Sequence, residues 1–130
     1  MIITEHDIQN NSRKLLTQAG GRTFRANVGV AYQGSKLKFY TDKKTHKPML
    51  LIESPRRFST GLPPGFPDVF GYDKNGKLYF IEFKTATGRL KPEQINFHDQ
   101  ITPYGICHGV ARSPEDALKI VKEGLVGYGY

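Results

Sequence analysis

Residues 68–84 constrain the fold of this chain more than any other stretch. Two apolar runs of strand length, Asp68-Val69-Phe70-Gly71-Tyr72 and Leu78-Tyr79-Phe80-Ile81-Glu82-Phe83-Lys84, flank Asp73-Lys74-Asn75-Gly76-Lys77. Asn-Gly between alternating hydrophobics is a strong hairpin signal. Both faces of the two strands carry apolar side chains, so the sheet they start must be covered on both sides. Ahead of them, Gly61-Leu62-Pro63-Pro64-Gly65-Phe66-Pro67 has five Gly or Pro in seven residues. Such a run excludes a helix or a central strand and reads as a stiff loop that delivers the chain to Asp68.

Covers for that sheet are legible on either side. Thr4 caps a helix over about residues 5–19, with Asp7 completing a capping box and Ile8, Leu15 and Ala19 forming an apolar stripe until Gly20-Gly21 stops it. Arg22 to Thr41 is strand-rich and reads as an early hairpin turning at Gln33-Gly34-Ser35, and a further strand runs through 49–53. Pro92 opens a helix that ends near Thr102-Pro103, Ile106 to Ala111 is a strand, and Ser113 caps a last helix stopped by Gly124. The order implies an α/β fold, a mixed central β-sheet flanked by helices, in one domain over 1–130.

With 130 residues and 38% apolar content, the chain can bury one core without disulfides or a structural metal. Disorder, collagen and coiled coil are excluded by the same figures. No apolar run approaches the ~20 residues of a membrane span, the start lacks a signal-peptide pattern, and Cys107 stands alone, so a cytoplasmic, reducing setting is expected. Cys107 reads as a small core residue, His98 and His108 as packing or surface histidines, and Tyr128 and Tyr130 as covering residues.

Nineteen Lys and Arg against twelve Asp and Glu give a net charge of +7. Much of the excess lies in one stretch, where Lys36, Lys38, Lys43, Lys44, Lys47, Arg56 and Arg57 face only Asp42 and Glu53. Pro48 and Pro55 rule out an amphipathic basic helix, so nucleic acid is the expected partner rather than a membrane. Lys43, Lys44, Lys47, Arg56 and Arg57 are candidate DNA contacts, and so are Arg89 and Lys91, which follow Lys84 closely.

Chemistry concentrates at Asp68, Glu82 and Lys84. Strand alternation points Glu82 and Lys84 to one side, about 7 Å apart. A two-residue Asn75-Gly76 loop would pair residues whose numbers add to 151 and put Asp68 opposite Phe83. A three-residue loop with Gly76 as the bulge makes the total 150 and sets Asp68 across from Glu82. Facing carboxylates repel unless a proton or a cation lies between them, and oxygen donors suit magnesium or manganese. Pattern alone also allows Asp68 to end a turn, with Glu82 and Lys84 on a solvated edge strand.

Together, Pro67-Asp68, Glu82-Phe83-Lys84 and Gln94 within Gly88-Arg89-Leu90-Lys91-Pro92-Glu93-Gln94 resemble the PD-(D/E)xK nuclease superfamily. Within it they resemble the virus-type replication-repair nuclease (VRR-NUC) domain, which occurs alone in phages and as the catalytic end of the Fanconi anaemia-associated nuclease. The similarity runs from Thr4-Glu5 to the final helix. It implies a restriction-endonuclease-like core and magnesium or manganese held by Asp68 and Glu82, with the Phe83 carbonyl as a further ligand. It implies Lys84 as the catalytic lysine, Gln94 as the residue orienting the metal site or water, and Glu5 as a metal-site glutamate on the first helix. The activity implied is a DNA endonuclease leaving 5′ phosphates. Similarity to the standalone phage type implies a homodimer resolving Holliday junctions in the host cytoplasm. A monomeric flap or nicking nuclease and a non-catalytic DNA-binding protein are the alternatives.

Overall fold

The computed structural model describes residues 2–130. Their contacts form two compact units, one made of the chain up to Asn27 together with Pro63–Tyr130, the other of Val28–Leu62. Among the described residues, the four strands of the 28–62 segment pair with one another. In chain order the elements are α1 (Glu5–Gln18), β1 (Arg22–Arg25), β2 (Val30–Gln33), β3 (Lys36–Thr41), β4 (Pro48–Glu53), β5 (Arg56–Ser59) and β6 (Val69–Tyr72). They continue with β7 (Leu78–Phe83), α2 (Pro92–Ile101), a 3-10 turn (Thr102–Tyr104), β8 (Cys107–Ala111), α3 (Pro114–Glu123) and β9 (Val126–Tyr128).

The larger unit is built on a mixed five-stranded sheet in the order β1-β6-β7-β8-β9. β1, β6 and β7 run antiparallel, whereas β8 lies parallel to β7 and β9 parallel to β8. On one face, Val69, Tyr79, Ile81, Phe83 and Ala111 are buried in a core with Ile8 and Leu16 of α1 and Ala117, Ile120 and Val121 of α3. Phe24, Phe70 and Phe80 point to the other face, where Phe66 packs edge-on against Phe70 and Phe80, Phe97 of α2 packs edge-on against Phe80, and Phe24 stacks on Phe70. Helices on both faces are what the doubly apolar hairpin requires.

The capping box of α1 is present: Thr4 Oγ1 accepts from Asp7 N at 3.1 Å, and Asp7 Oδ2 accepts from Thr4 N at 3.0 Å. The buried stripe differs from the expected Ile8, Leu15 and Ala19. It is Ile8, Ser12 and Leu16, at a steady i, i+4 spacing. The sequence disguises it because Ser12 is polar, yet its hydroxyl is satisfied by donating to Ile8 O at 2.6 Å.

The early hairpin turning at Gln33-Gly34-Ser35 is not formed. β2 pairs with β5 (Val30↔Ser59) and β3 with β4 (Lys36↔Glu53). Both ladders join residues whose numbers add to 89, so the smaller unit is one long antiparallel ribbon with an interruption at Gly34-Ser35 and Ser54-Pro55. Pro55 has no N–H to donate to a ladder, and Ser54 takes a positive φ of 51°. The true turn lies at 42–47, where Asp42 Oδ2 accepts from Thr45 N at 2.7 Å and Thr45 Oγ1 at 2.8 Å. An aspartate that bonds backbone two or three residues on is a turn former, and here it outcompetes the Gly-Ser signal. β5 and the short β9 were not expected from the sequence.

Candidate active site

The β6–β7 turn decides the register. Asp73 N donates to Lys77 O at 2.9 Å, Asp73 Oδ1 accepts from Asn75 N and Lys77 N, and Gly76 has φ +79°. Lys74-Asn75-Gly76 is therefore a three-residue loop with a glycine bulge, and Val69 pairs with Ile81. Asp68, one residue before Val69, then stands opposite Glu82. Its carboxylate Oδ2 accepts the Phe83 N–H at 2.8 Å.

The Gly/Pro loop holds Asp68 there. Gly65 has φ +86°, and a Cβ at that position would lie 2.1 Å from Glu93 O in the first turn of α2. Only glycine allows the loop to press this close. The same contact sets α2 beside β7: Gln94 Nε2 donates to Glu82 Oε1 at 2.8 Å, and Gln94 Oε1 accepts from Lys91 N at 2.8 Å.

Glu82 is 2% exposed and Lys84 7%. Lys84 Nζ lies 4.0 Å from Glu82 Oε1 and 3.9 Å from Glu5 Oε1 at the start of α1. Burial, and then the charge of Asp68, push the Glu82 carboxyl up to about 9, while Lys84 opposes the shift. Thus four separate segments bring Glu5, Asp68, Glu82, Lys84 and Gln94 together at the C-terminal end of β7, the central strand of the sheet.

The donor set fits a hard divalent cation. Two carboxylates that face each other, one of them held protonated by its surroundings, would exchange that proton for a shared cation. Magnesium is held by one or two carboxylates and keeps several waters. Among the described residues no group of three or more His, Cys, Asp or Glu side chains is placed to hold a metal ion.

The remaining candidates are carried by the following elements. Arg89 and Lys91 are exposed on the loop between β7 and α2. Lys43, Lys44 and Lys47 sit on or beside the ribbon turn of the smaller unit and Arg56 and Arg57 on β5, where Arg56 donates to Gln33 Oε1 at 3.0 Å. His98 and His108 are wholly buried, stacked at 4.8 Å, with their Nδ1 atoms 2.6 Å apart. The Cys107 thiol, pushed up to about 11 by burial, donates to Ile120 O. Tyr130 donates to Asp99 Oδ1 at 2.8 Å and Tyr128 to Asp116 Oδ1 at 3.4 Å, so both tie the tail to helices.

Sequence reasoning missed Arg112. From the end of β8 its Nη1 donates to Thr85 O at 2.6 Å and Gly88 O at 2.7 Å, pinning the loop that follows Lys84. No local pattern announces it, since its partners lie 27 and 24 residues away.

A mixed sheet between helices, with an aspartate, a glutamate and a lysine gathered at the end of its central strand, defines an α/β domain of the nuclease class. The family model for the VRR-NUC domain matches residues 6–115, and the chain belongs to that family. Membership makes it a nuclease with DNA as its substrate, in a family that generally needs a divalent metal. A solved structure titled "VRR_NUC domain" superposes with a TM-score of 0.58 at 15% identity, covering 95% of this chain and 100% of that one, a likeness of fold. No curated protein matches the chain.

Proposed function

We propose that this chain is a magnesium- or manganese-dependent endonuclease for branched DNA, acting as a homodimer on four-way junctions, with 1–130 forming one catalytic domain. The observation that carries the reading is the facing pair Asp68 and Glu82 with Lys84 Nζ 4.0 Å from Glu82. Asp68, Glu82 and the Phe83 carbonyl would hold the cation. When bound, it supplies Lewis acidity that favours deprotonation of water and draws charge from the phosphate.

The chain's own groups do the rest. Lys84 orients the attacking water and offsets charge building on the phosphoryl oxygens. Water oxygen attacks phosphorus in line and releases a proton to solvent, the bond from phosphorus to the 3′ oxygen breaks, that oxygen takes a proton from solvent, and the phosphate stays on the 5′ side. Gln94 fixes the Glu82 carboxylate, and Glu5 positions the Lys84 ammonium from the opposite side. Arg89 and Lys91 hold the substrate phosphate, while Lys43, Lys44, Lys47, Arg56 and Arg57 engage the DNA backbone.

Support for a homodimer comes from the ribbon. A solitary two-stranded hairpin is marginal in water, yet β3 and β4 expose Leu37, Leu50, Leu51 and, at 76%, Phe39. A two-fold pair would cover such residues and offer two sites to two symmetric strands. A lone cysteine and the lack, among the described residues, of any helix long and apolar enough to cross a membrane support a cytoplasmic setting.

Labelled four-way junction, flap and linear duplex, each with magnesium, manganese or chelator, test the reading. Paired symmetric cuts in junctions with either metal and none in chelator are expected. Cleavage of flaps alone by a monomer would replace it with a flap or nicking nuclease. Binding without cleavage under all conditions would leave a DNA-binding protein.

A further inference from the structure

The α1 helix begins at the candidate site and leads away from it along an open groove of about 570 Å³, lined by Asn10, Arg13, Lys14, Thr17, Gln18 and Thr23. From Ile8 to Arg25 the chain carries Arg13, Lys14, Arg22 and Arg25 and no Asp or Glu. Among the described residues none of these four cations is within salt-bridge distance of a carboxylate; the ion pairs there involve only Lys36 and Lys84. Arg13 is half-buried, and its Nε donates to Thr23 Oγ1 at 3.3 Å, which ties the side chain to β1 and leaves the two terminal guanidinium nitrogens for another acceptor. Free cations beside neutral amides and hydroxyls are the side chains that contact a sugar-phosphate backbone.

Position relates the groove to the site. Glu5 lies 3.9 Å from Lys84 Nζ, and at 1.5 Å per residue Asn10 to Gln18 lie roughly 7–20 Å further along the helix. With one phosphate per about 3.4 Å of duplex axis on each strand, a strand leaving the site would meet the groove some two to six phosphates on. At the other side, Arg25 immediately precedes Ala26, whose N–H donates to Asp68 O at 2.9 Å, so the basic run ends beside the site's own aspartate.

We infer that the α1–β1 groove carries the phosphodiester backbone of one DNA strand away from the site, with Arg13 and Lys14 as its charge contacts. The inference rests on the nuclease reading for the direction of the strand, and adds a track that the basic ribbon does not supply.

Binding of a 30-base-pair duplex and a four-way junction is measured against salt in chelator, so that no strand is cut. The double variant Arg13→Ala, Lys14→Ala is expected to flatten the slope of log affinity against log salt by about 2. Lys122→Ala, which removes one exposed charge from α3, should leave the slope in place. Arg13→Gln with Lys14→Gln, able to keep a bond to Thr23, serves if the alanine pair does not fold. An unaltered slope in the groove variant, or no DNA binding by the wild type, overturns the inference. Cleavage by wild type with magnesium is scored apart. A flattened slope in a protein that cuts nothing keeps the groove and removes the nuclease reading, and cleavage with an unaltered slope does the reverse.

Discussion

Gln94 holds Glu82 from across the fold: its Nε2 donates to Glu82 Oε1 at 2.8 Å while its Oε1 closes the first turn of α2 on the Lys91 N–H. One amide thus fixes both the helix start and the carboxylate. Removing such an outer partner of a metal ligand commonly costs about 10–100-fold in metal affinity or activity. Gln94→Ala should raise the magnesium concentration for half-maximal cleavage by about that factor. An unchanged metal titration, with only a lower melting temperature, would reduce Gln94 to a helix cap.

Asp68→Asn, Glu82→Gln and Lys84→Ala should each abolish cleavage while retaining fold and most DNA affinity. Wild-type turnover in any one removes that residue from the mechanism. Because the Glu82 carboxyl is raised to about 9 from 4.5, the native state favours its neutral form. That contribution is full below 4.5 and is lost as pH rises towards 9. The melting temperature in chelator should therefore fall over this range, Glu82→Gln should flatten the fall, and Asp68→Asn should raise stability at neutral pH. A metal-free stability independent of Asp68 would argue against the facing pair.

The two basic sets separate binding from chemistry. Lys43→Ala, Lys44→Ala and Lys47→Ala together should flatten the salt slope by up to about 3, weaken all DNA substrates alike, and leave single-turnover cleavage at saturating protein nearly unchanged. Arg89→Ala with Lys91→Ala should lower the saturated rate as well, since these residues flank the loop after Lys84. A triple variant with the wild-type slope would make the ribbon turn a solvated surface.

Arg112 is a positioning residue in this geometry. Arg112→Met leaves the Thr85 and Gly88 carbonyls without a charged donor, at a cost of about 1.5–3 kcal/mol for each bond of this kind. The melting temperature should drop and the saturated cleavage rate should fall, with affinity for long duplex nearly kept. Arg112→Lys, which supplies one point donor in place of the fork, should recover stability more than rate. Equal recovery of both would confine Arg112 to folding.

Burial, then the neighbouring His108, lowers His98 from 6.5 to about 4, and its Nε2 has no hydrogen-bond partner among the described residues. A neutral native histidine contributes stability above 6.5 that is lost as pH falls towards 4. Thermal melts between these limits should show the loss, and His98→Gln, which does not titrate, should show a shallower one. The opposite signs of the His98 and Glu82 effects allow the two to be told apart in one pH series.

Much of this molecule was readable from local chemistry. Thr4 with Asp7, Pro92, Ser113 and Gly124 mark helix ends through bonds made within a few residues, so the sequence alone determined α1, α2 and α3. The 73–77 turn is equally local, and its glycine bulge places Asp68 opposite Glu82 rather than Phe83, though the sequence permitted either register. What needed the tertiary structure were contacts between segments far apart in the chain. Lys84 meets Glu5 79 residues away, and Arg112 clamps the loop that follows another strand. The ribbon failed for the same reason: Gly34-Ser35 looks like a turn from its neighbours, but pairing partners 17 to 29 residues away carry the chain straight past it. Local propensity sets where elements start and stop. Which element lies beside which is decided by the burial and hydrogen bonding that only the folded chain completes.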